Sequence, residues 1–405
     1  MITTTARALE DDHRIAASAT SEHHDTRTAA DEVAGALHDA LDGRSPDLVM
    51  LFASFHHAAA LPQACDDLRR MLVPGHFLGV TTESVLGDGR ELEGVAGISA
   101  VAFRLGRKRH IKLATWRTAS WDPLPLSQPE ALAARIDAAS DTKCVIALAD
   151  PFSTPSTRML PAIGSCLGGG HTLPVTGGLL SGASQPTCNR LILDDVVQDA
   201  GAIGVTISGD IDVGTIVSQG CRPVGQPVVV TGCEGNVITR LGGRTALDMV
   251  RELLGDLPDH ERELLSGGLL IGRAIDAGKK RLGRGDFVVR NVLGVDEDKG
   301  GMAVGELPRL GQTIQVHLRD AQAAHEDLQL LLDGQQVHDP PLAALLVTCN
   351  GRGQRLFEQV GHDTAIVRER LGEPPMAGFF AAGEFGPIAG TNLIHSQAVV
   401  ATILR

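Results

Sequence analysis

Two stretches of this 405-residue chain repeat one another, and that repetition restricts the fold more than any other feature. GHFLGVTTESVLG (75–87) aligns without gaps to GHTLPVTGGLLSG (170–182), with Gly, His, Leu, Val, Thr and Gly identical in place. Upstream, LVMLFASF (48–55) has a counterpart in CVIALADPF (144–152). Each is a continuous apolar run of the kind that forms a strand buried on both faces. A helix follows in both: CDDLRRML (65–72) and RMLPAIGSCL (158–167). Downstream, GISAVAFRL (97–105) is echoed by GAIGVTISGD (201–210), with an extra segment, 183–200, in the second copy. The order predicts a duplicated strand–helix–strand–strand unit at an offset near 95 residues. It therefore predicts an α/β fold in which helices cover the sheet faces.

Composition narrows the class. Ten Phe, two Trp and no Tyr leave Leu, Val, Ile and Ala to build the core. A net charge of −13 argues against a nucleic-acid or acidic-membrane partner, which would need a basic patch. Seven cysteines without a C-x-x-C fit reduced thiols in a cytoplasm rather than a disulfide framework. Residues 1–28 carry no apolar signal region. They read as a disordered tail in which His13, His23 and His24 are solvated. No apolar run approaches the ~20 residues that span a bilayer. The expectation is a soluble, cytoplasmic protein.

Past Gly220 the pattern changes. Strands are expected at 227–231 and 237–241, a helix at 245–254, and a domain boundary within 255–266. Further strands are expected at 269–274, 287–294, 312–319 and 342–350, with a helix at 320–332 and a helix start near 352. Segments 376–384 and 394–404 would close the sheet. The predicted organisation is a tail (1–28), a duplicated domain (29–254) and a second domain (255–405), both α/β with layered mixed sheets and flanking helices. For the second domain a sandwich and a single covered sheet both stand.

Glycine and proline crowd around a few polar side chains in two places: SQGCRPVGQP (218–227) and GFFAAGEFGPIAGTNLIH (378–395). Such backbone admits close approach and positive φ, which suits a small-ligand pocket. Arg352, between Gly351 and Gly353, offers a planar fork that grips a carboxylate; bonding to an internal carboxylate such as Glu384 is the structural alternative. Glu384 sits in an apolar run and must be paired, hydrogen-bonded or protonated. A ligand would thus meet Arg352 through a carboxylate and Glu384 through an amine, with Cys221, Arg222, Cys349, Asn350, Asn392 and His395 around it. The two cysteines read as pocket lining rather than nucleophiles. No G-x-S-x-G, H-E-x-x-H or G-x-G-x-x-G is present. GRAIDAGKK (272–280) fails as a phosphate loop, with five residues between its glycines and Lys280 where Ser or Thr should stand. No catalytic or metal-binding residue is assigned.

Five segments, GVTTESVLGDGRELEG (79–94), SQGCRPVGQP, GNVITRLGGRTAL (235–247), TCNGRGQRLF (348–357) and GFFAAGEFGPIAGTNLIH, resemble in order and spacing the FIST family of sensory proteins, over residues 30–404. The resemblance implies paired FIST N and FIST C domains and recognition of a small molecule, an amino acid among the candidates, with the signal passed to a protein partner. It also raises haem as a cofactor, with His395 one candidate axial ligand; a colourless metabolite is favoured, since aromatics are few and C-x-x-C-H is absent. Two readings of other classes stay open: thiol chemistry by Cys221 or Cys349 with His395, and a scaffold that binds no ligand.

Overall fold

The structure, a computed structural model, describes residues 2–9, 14–106, 110–121, 126–170 and 172–405; His13 and His171 lie outside them. Small residues open the fold. β1 (Ile2–Leu9) and β2 (Arg14–Ser21) pair antiparallel along their whole lengths, which corrects the expected disordered tail over 1–28. β2, RIAASATS, is buried throughout although it holds one large aliphatic residue. Its Ala, Ser and Thr side chains let neighbouring elements approach closely, so the strand carries no large-apolar signal. α1 (Thr26–Ala40) then starts at Asp25, whose carboxylate accepts the Thr28 amide at 2.9 Å, the usual satisfaction of an orphan donor.

β3 (Leu48–Ser54), α2 (Leu61–Leu72) and β4 (His76–Thr82) make a parallel crossover. The hairpin β5 (Val85–Gly87) and β6 (Arg90–Leu92) follows, and β7 (Ile98–Arg104) returns antiparallel beside β3. The same order recurs in β8 (Lys112–Thr118), α3 (Pro129–Arg135), β9 (Thr142–Ala149), α4 (Ser156–Ser165), β10 (Val175–Leu179), the hairpin β11 (Leu191–Leu193) and β12 (Val196–Gln198), and β13 (Ala202–Ser208). β14 (Val213–Gln219) opens a third repeat, interrupted by β15 (Cys221–Glu234), β16 (Val237–Leu241), β17 (Arg244–Thr245), α5 (Ala246–Gly255), α6 (Asp259–Glu263), β18 (Leu269–Ala274), β19 (Phe287–Asp296), β20 (Gly301–Val304) and β21 (Thr313–Arg319). It resumes with α7 (Ala321–Asp333), β22 (Ala343–Cys349), α8 (His362–Leu371), β23 (Met376–Ala381), the hairpin β24 (Gly383–Ile388) and β25 (Thr391–His395), and β26 (Ala398–Leu404).

The expected duplication is thus a triplication. Three sheets have matching orders: β1-β2-β7-β3-β4-β11-β12, β8-β13-β9-β10-β24-β25 and β14-β26-β22-β23-β5-β6. In every one the terminal hairpin comes from another repeat. The first repeat lends β5–β6 to the third sheet, the second lends β11–β12 to the first, and the third lends β24–β25 to the second. Register identifies equivalent residues: Leu51 faces Gly79, Ala147 faces Gly177 and Leu346 faces Gly378. This pairing places Val175 at the position of Phe77, so the sequence alignment of 75–87 with 170–182 is shifted by three residues.

Met50, Phe52, Ile146, Leu148, Leu345, Val347 and Phe379 from the three sheets share one core, with Phe52 and Phe379 stacked at 5.3 Å between ring centroids. Helices cover the outer faces, α1 and α2 over the first sheet and α4 over the second. The chain divides into two compact units: Met1–Val217 with Gln329–Ile394 and Val399–Arg405, and Ser218–Leu328 with His395–Ala398. The expected division at 255–266 falls inside the second unit, because the third repeat lies on both sides of the insertion in sequence. In that unit β15, β21, β18, β19, β20 and β16 pair in succession, and β16 pairs back to β15. The result is a closed, six-stranded antiparallel barrel around Val224, Ile238, Ile271, Met302 and Val316. Neither a sandwich nor a single covered sheet describes it.

The equivalent glycines differ in tolerance. A Cβ on Gly378 would lie 1.7 Å from the Leu346 carbonyl oxygen and one on Gly177 2.0 Å from that of Ala147, whereas on Gly79 the nearest atom is a Phe77 ring carbon at 3.0 Å. Urea titration of Gly378→Ala is expected to show a loss above about 3 kcal/mol, in the range reserved for backbone strain or overpacking. Gly79→Ala should lose clearly less. Equal losses would contradict the close pairing in the third sheet.

Candidate site at the loop after β22

The loop between β22 and α8 leaves the carboxyl end of a parallel strand pair, where open α/β sheets receive ligands. Its first part is anchored from below. Arg352, wholly buried, donates through Nε to Asp363 Oδ2 at 2.7 Å and through Nη2 to Oδ1 at 2.8 Å. Asp363 is also wholly buried and accepts from Thr348 Oγ1 at 2.8 Å. His362 Nδ1 lies 3.0 Å from its Oδ1. The His362 ring stacks on Phe357 at 3.5 Å between centroids, and the guanidinium lies 5.3 Å from the Phe357 centroid. Burial alone would push the Asp363 carboxyl up. The Arg352 charge and its hydrogen bonds outweigh that and hold the group well below the ordinary carboxylate range. Asp363 stands in the first turn of α8, where the helix dipole also favours a carboxylate.

The upper part of the loop meets carboxylates from β4–β6. The Gln354 amide donates to both oxygens of Glu93, at 3.0 and 3.1 Å. Gly353 has φ +57°, and a Cβ there would fall 2.4 Å from the same carboxylate. The Thr364 amide at the start of α8 donates to Glu91 Oε1 at 2.9 Å. Arg355 bonds Glu83 Oε1 and the Asn350 carbonyl, each at 2.5 Å. Amides that would face an external anion therefore already hold carboxyl groups of the chain. Glu91 is 5% exposed, and its Oε2 has no hydrogen-bond partner. Burial, and next the Asp363 charge, push its carboxyl up to about 8. Burial also raises Glu93.

The other sequence candidates separate. Cys349 is buried, with the Gly351 amide donating to its Sγ at 3.4 Å and Sγ 3.9 Å from Asn350 Oδ1. Glu384 is wholly buried on β24 opposite Gly178, at the position filled by Val85 and Leu191 in the other repeats. Asn392 accepts the Val175 amide at 3.0 Å and donates to the Leu173 carbonyl at 2.8 Å, fastening β25 to the approach to β10. Cys221, Arg222 and His395 belong to the second unit. Cys221 packs with Leu270 and Val289. Arg222 donates to Asp320, whose other oxygen accepts the Gln322 and Ala323 amides that open α7. Within the first unit the structure gathers Cys349, Asn350 and Arg352 and adds Glu83, Glu91, Glu93, Arg355 and Asp363. The added acids Glu83, Glu91 and Glu93 sit in the 79–94 motif and Arg355 in the 348–357 motif, but nothing local in either says that the two segments meet. Among the described residues no group of three or more His, Cys, Asp or Glu is placed to hold a metal ion.

The sequence matches the FIST N domain over residues 47–244 and the FIST C domain over 246–387. The chain belongs to the FIST family. An uncharacterised protein of Mycobacterium tuberculosis H37Rv is 36% identical to it over 374 residues, covering 92% of this chain and 94% of the relative. One of Mycobacterium bovis is 36% identical over 381 residues with the same coverage. FIST domains are associated with sensory and signal-transduction roles. The FIST N match extends into the barrel unit, and the FIST C match spans most of the barrel and much of the third repeat.

Two outcomes are expected for this FIST protein. Asp363→Ala leaves the Arg352 charge buried without its carboxylate and should cost about 3–5 kcal/mol in chemical denaturation; Arg352→Met with Asp363→Leu should recover most of it. The second concerns pH. Native Glu91 keeps its proton up to about 8, whereas the ordinary value is 4.5. Between those values the unfolded chain releases a proton that the folded chain retains, so stability falls as pH rises. Glu91→Gln should remove that decline above pH 6. Below it the contribution of Asp88, which burial pushes up to about 6, is opposed by those of His57 and His317, which burial pushes down to about 4, so the Glu91 slope is read above that pH. Urea midpoints measured across this range check it, and an unchanged slope in the variant refutes the assignment.

Proposed function

We propose that this FIST protein senses a small carboxylate-bearing metabolite, an amino acid or 2-oxo acid, which enters the loop after β22 in exchange for Glu93. The observation that supports this reading is the two-oxygen grip of the Gln354 amide on the Glu93 carboxylate, which packs against the bare Cα of Gly353 near the Arg355 cation. A free carboxylate presents the same two oxygens. An α-ammonium group would find Glu83 and the displaced Glu93. In this reading Arg355 meets the ligand, and the buried Arg352–Asp363 pair holds the loop in shape. Exchange loosens β6, part of the hairpin that the first repeat lends to the third sheet, so occupancy shifts the population of joined and loosened states. A protein partner would read that shift. No described helix is long and apolar enough to cross a membrane, and the ligand is taken to be a dissolved metabolite.

The test is thermal-shift and calorimetric titration with a panel of amino and 2-oxo acids, alongside native mass spectrometry of the purified protein. At least one acid should stabilise the wild type. Arg355→Ala should abolish the effect, and Glu93→Ala, which removes the internal competitor, should tighten binding by about tenfold or more. Absence of any response in both the wild type and Glu93→Ala would overturn the proposal in favour of a ligand-free scaffold. A co-purifying haem in the mass spectrum would overturn the choice of ligand.

A further inference from the structure

Each repeat sends a crossover helix from the carboxyl end of its central strand, α2 after β3, α4 after β9 and α8 after β22. In the third, the amide of Thr364, the third residue of α8, is occupied by Glu91. The third residue of α4 is Arg158. It lines a crevice of about 780 Å³ together with Trp121, Ser127, Phe152, Ser153 and Thr154. Arg158 is exposed and has no ion-pair or hydrogen-bond partner for its side chain among the described residues, and the crevice's described lining contains no carboxylate. The third repeat thus sets its own acid at the start of α8, whereas the described lining at the start of α4 holds a cation and no carboxylate.

The walls are preformed and include two aromatic rings among polar groups. Asp150, buried at the end of β9, accepts from Ser153 Oγ at 2.6 Å, Asn189 Nδ2 at 2.9 Å and the Phe152 amide at 3.2 Å. That network holds the 150–155 loop in one shape. Trp121 is 7% exposed and spends its indole N–H on Thr154 Oγ1 at 3.3 Å, which leaves only apolar ring surface to offer a ligand. Phe152 is 44% exposed, in a chain that has only ten Phe and two Trp.

We propose that this crevice is a second ligand site, for a small organic anion with a flat apolar body. Arg158 pairs with the anionic head and Trp121 and Phe152 hold the ring, a division of labour usual in small-molecule pockets. Carboxylate and phosphate heads share the chemistry that Arg158 recognises. The site is separate from the loop after β22 and does not rest on the reading given for it.

Tryptophan fluorescence reports on the site through Trp121, which lines the crevice, whereas the other indole, Trp116, packs over Gly204 and is not part of its lining. The full-length protein is titrated with phenylacetate and with phenyl phosphate; acetate and inorganic phosphate serve as heads without a ring. A saturable change with one or both ring-bearing anions is expected, and the stronger of the two identifies the head. Arg158→Ala should weaken binding by about tenfold or more, with Arg158→Lys intermediate and the melting temperature of both unchanged, since the side chain has no partner to lose. Phe152→Ala should weaken it as well, and Arg355→Ala should leave it unaltered. No saturable response to either ring-bearing anion overturns the proposal, as does a response that survives Arg158→Ala or one that Arg355→Ala removes. Equal binding of the ringless anions overturns the role given to Trp121 and Phe152.

Discussion

Backbone hydrogen bonding between repeats is the constraint on which the first unit depends. Each sheet is completed by a hairpin from another repeat, so no sheet is finished until two repeats are in place, and the three exchanges close a ring of dependence. A two-stranded hairpin alone is barely stable in water; here each gains a parallel-paired sheet to dock on. Close backbone approach makes the exchange possible. The three equivalent glycines, Gly79, Gly177 and Gly378, face the strand that precedes them at matching register, and in two of them a single Cβ would collide with a carbonyl.

The same exchange builds the candidate site. The tip of β5–β6 is a two-residue turn with Asp88 and Gly89 both at positive φ, the geometry that suits a tight hairpin. Asp88 is bonded by Ser18 and Thr20 of β2 in the first sheet. Its strands belong to the third sheet, and there they bring Glu91 and Glu93 onto the amides around α8. Carboxylates held in a buried, like-charged neighbourhood are costly, and the raised titration of Glu91 expresses that cost. A hairpin held by acids that are themselves under electrostatic tension is suited to exchange with a competing anion. The Arg352–Asp363 pair beneath has the opposite character: it is buried, bidentate and further bonded by Thr348, so it fixes geometry instead of yielding.

Much of the fold was legible. The buried strands 48–54 and 144–149, the helix ending before Pro74-Gly75 and the strands of the barrel other than β20 follow from apolar runs and turn residues. The β1–β2 pair was not, because small residues bury without the large-apolar pattern that marks a core strand. The third repeat was hidden by its interruption: more than a hundred residues separate β14 from β22. Arg352 stood out by its glycine neighbours, yet its partner Asp363 lies eleven residues on, across a turn whose closure only packing sets.

By itself the sequence determined the family, the α/β class, the presence of an internal repeat and the positions of most strands and helices, since these depend on local periodicity and on motifs read along the chain. Tertiary structure alone decided that there are three repeats, that each lends a hairpin to another's sheet, and that Glu91 and Glu93 sit on amides more than 250 residues away. It also decided that Trp121, Phe152 and Arg158 line one crevice. The reason is physical: strand pairing and the burial of charge are settled between distant segments, and the free energy of a contact belongs to both partners, so neither segment carries it alone.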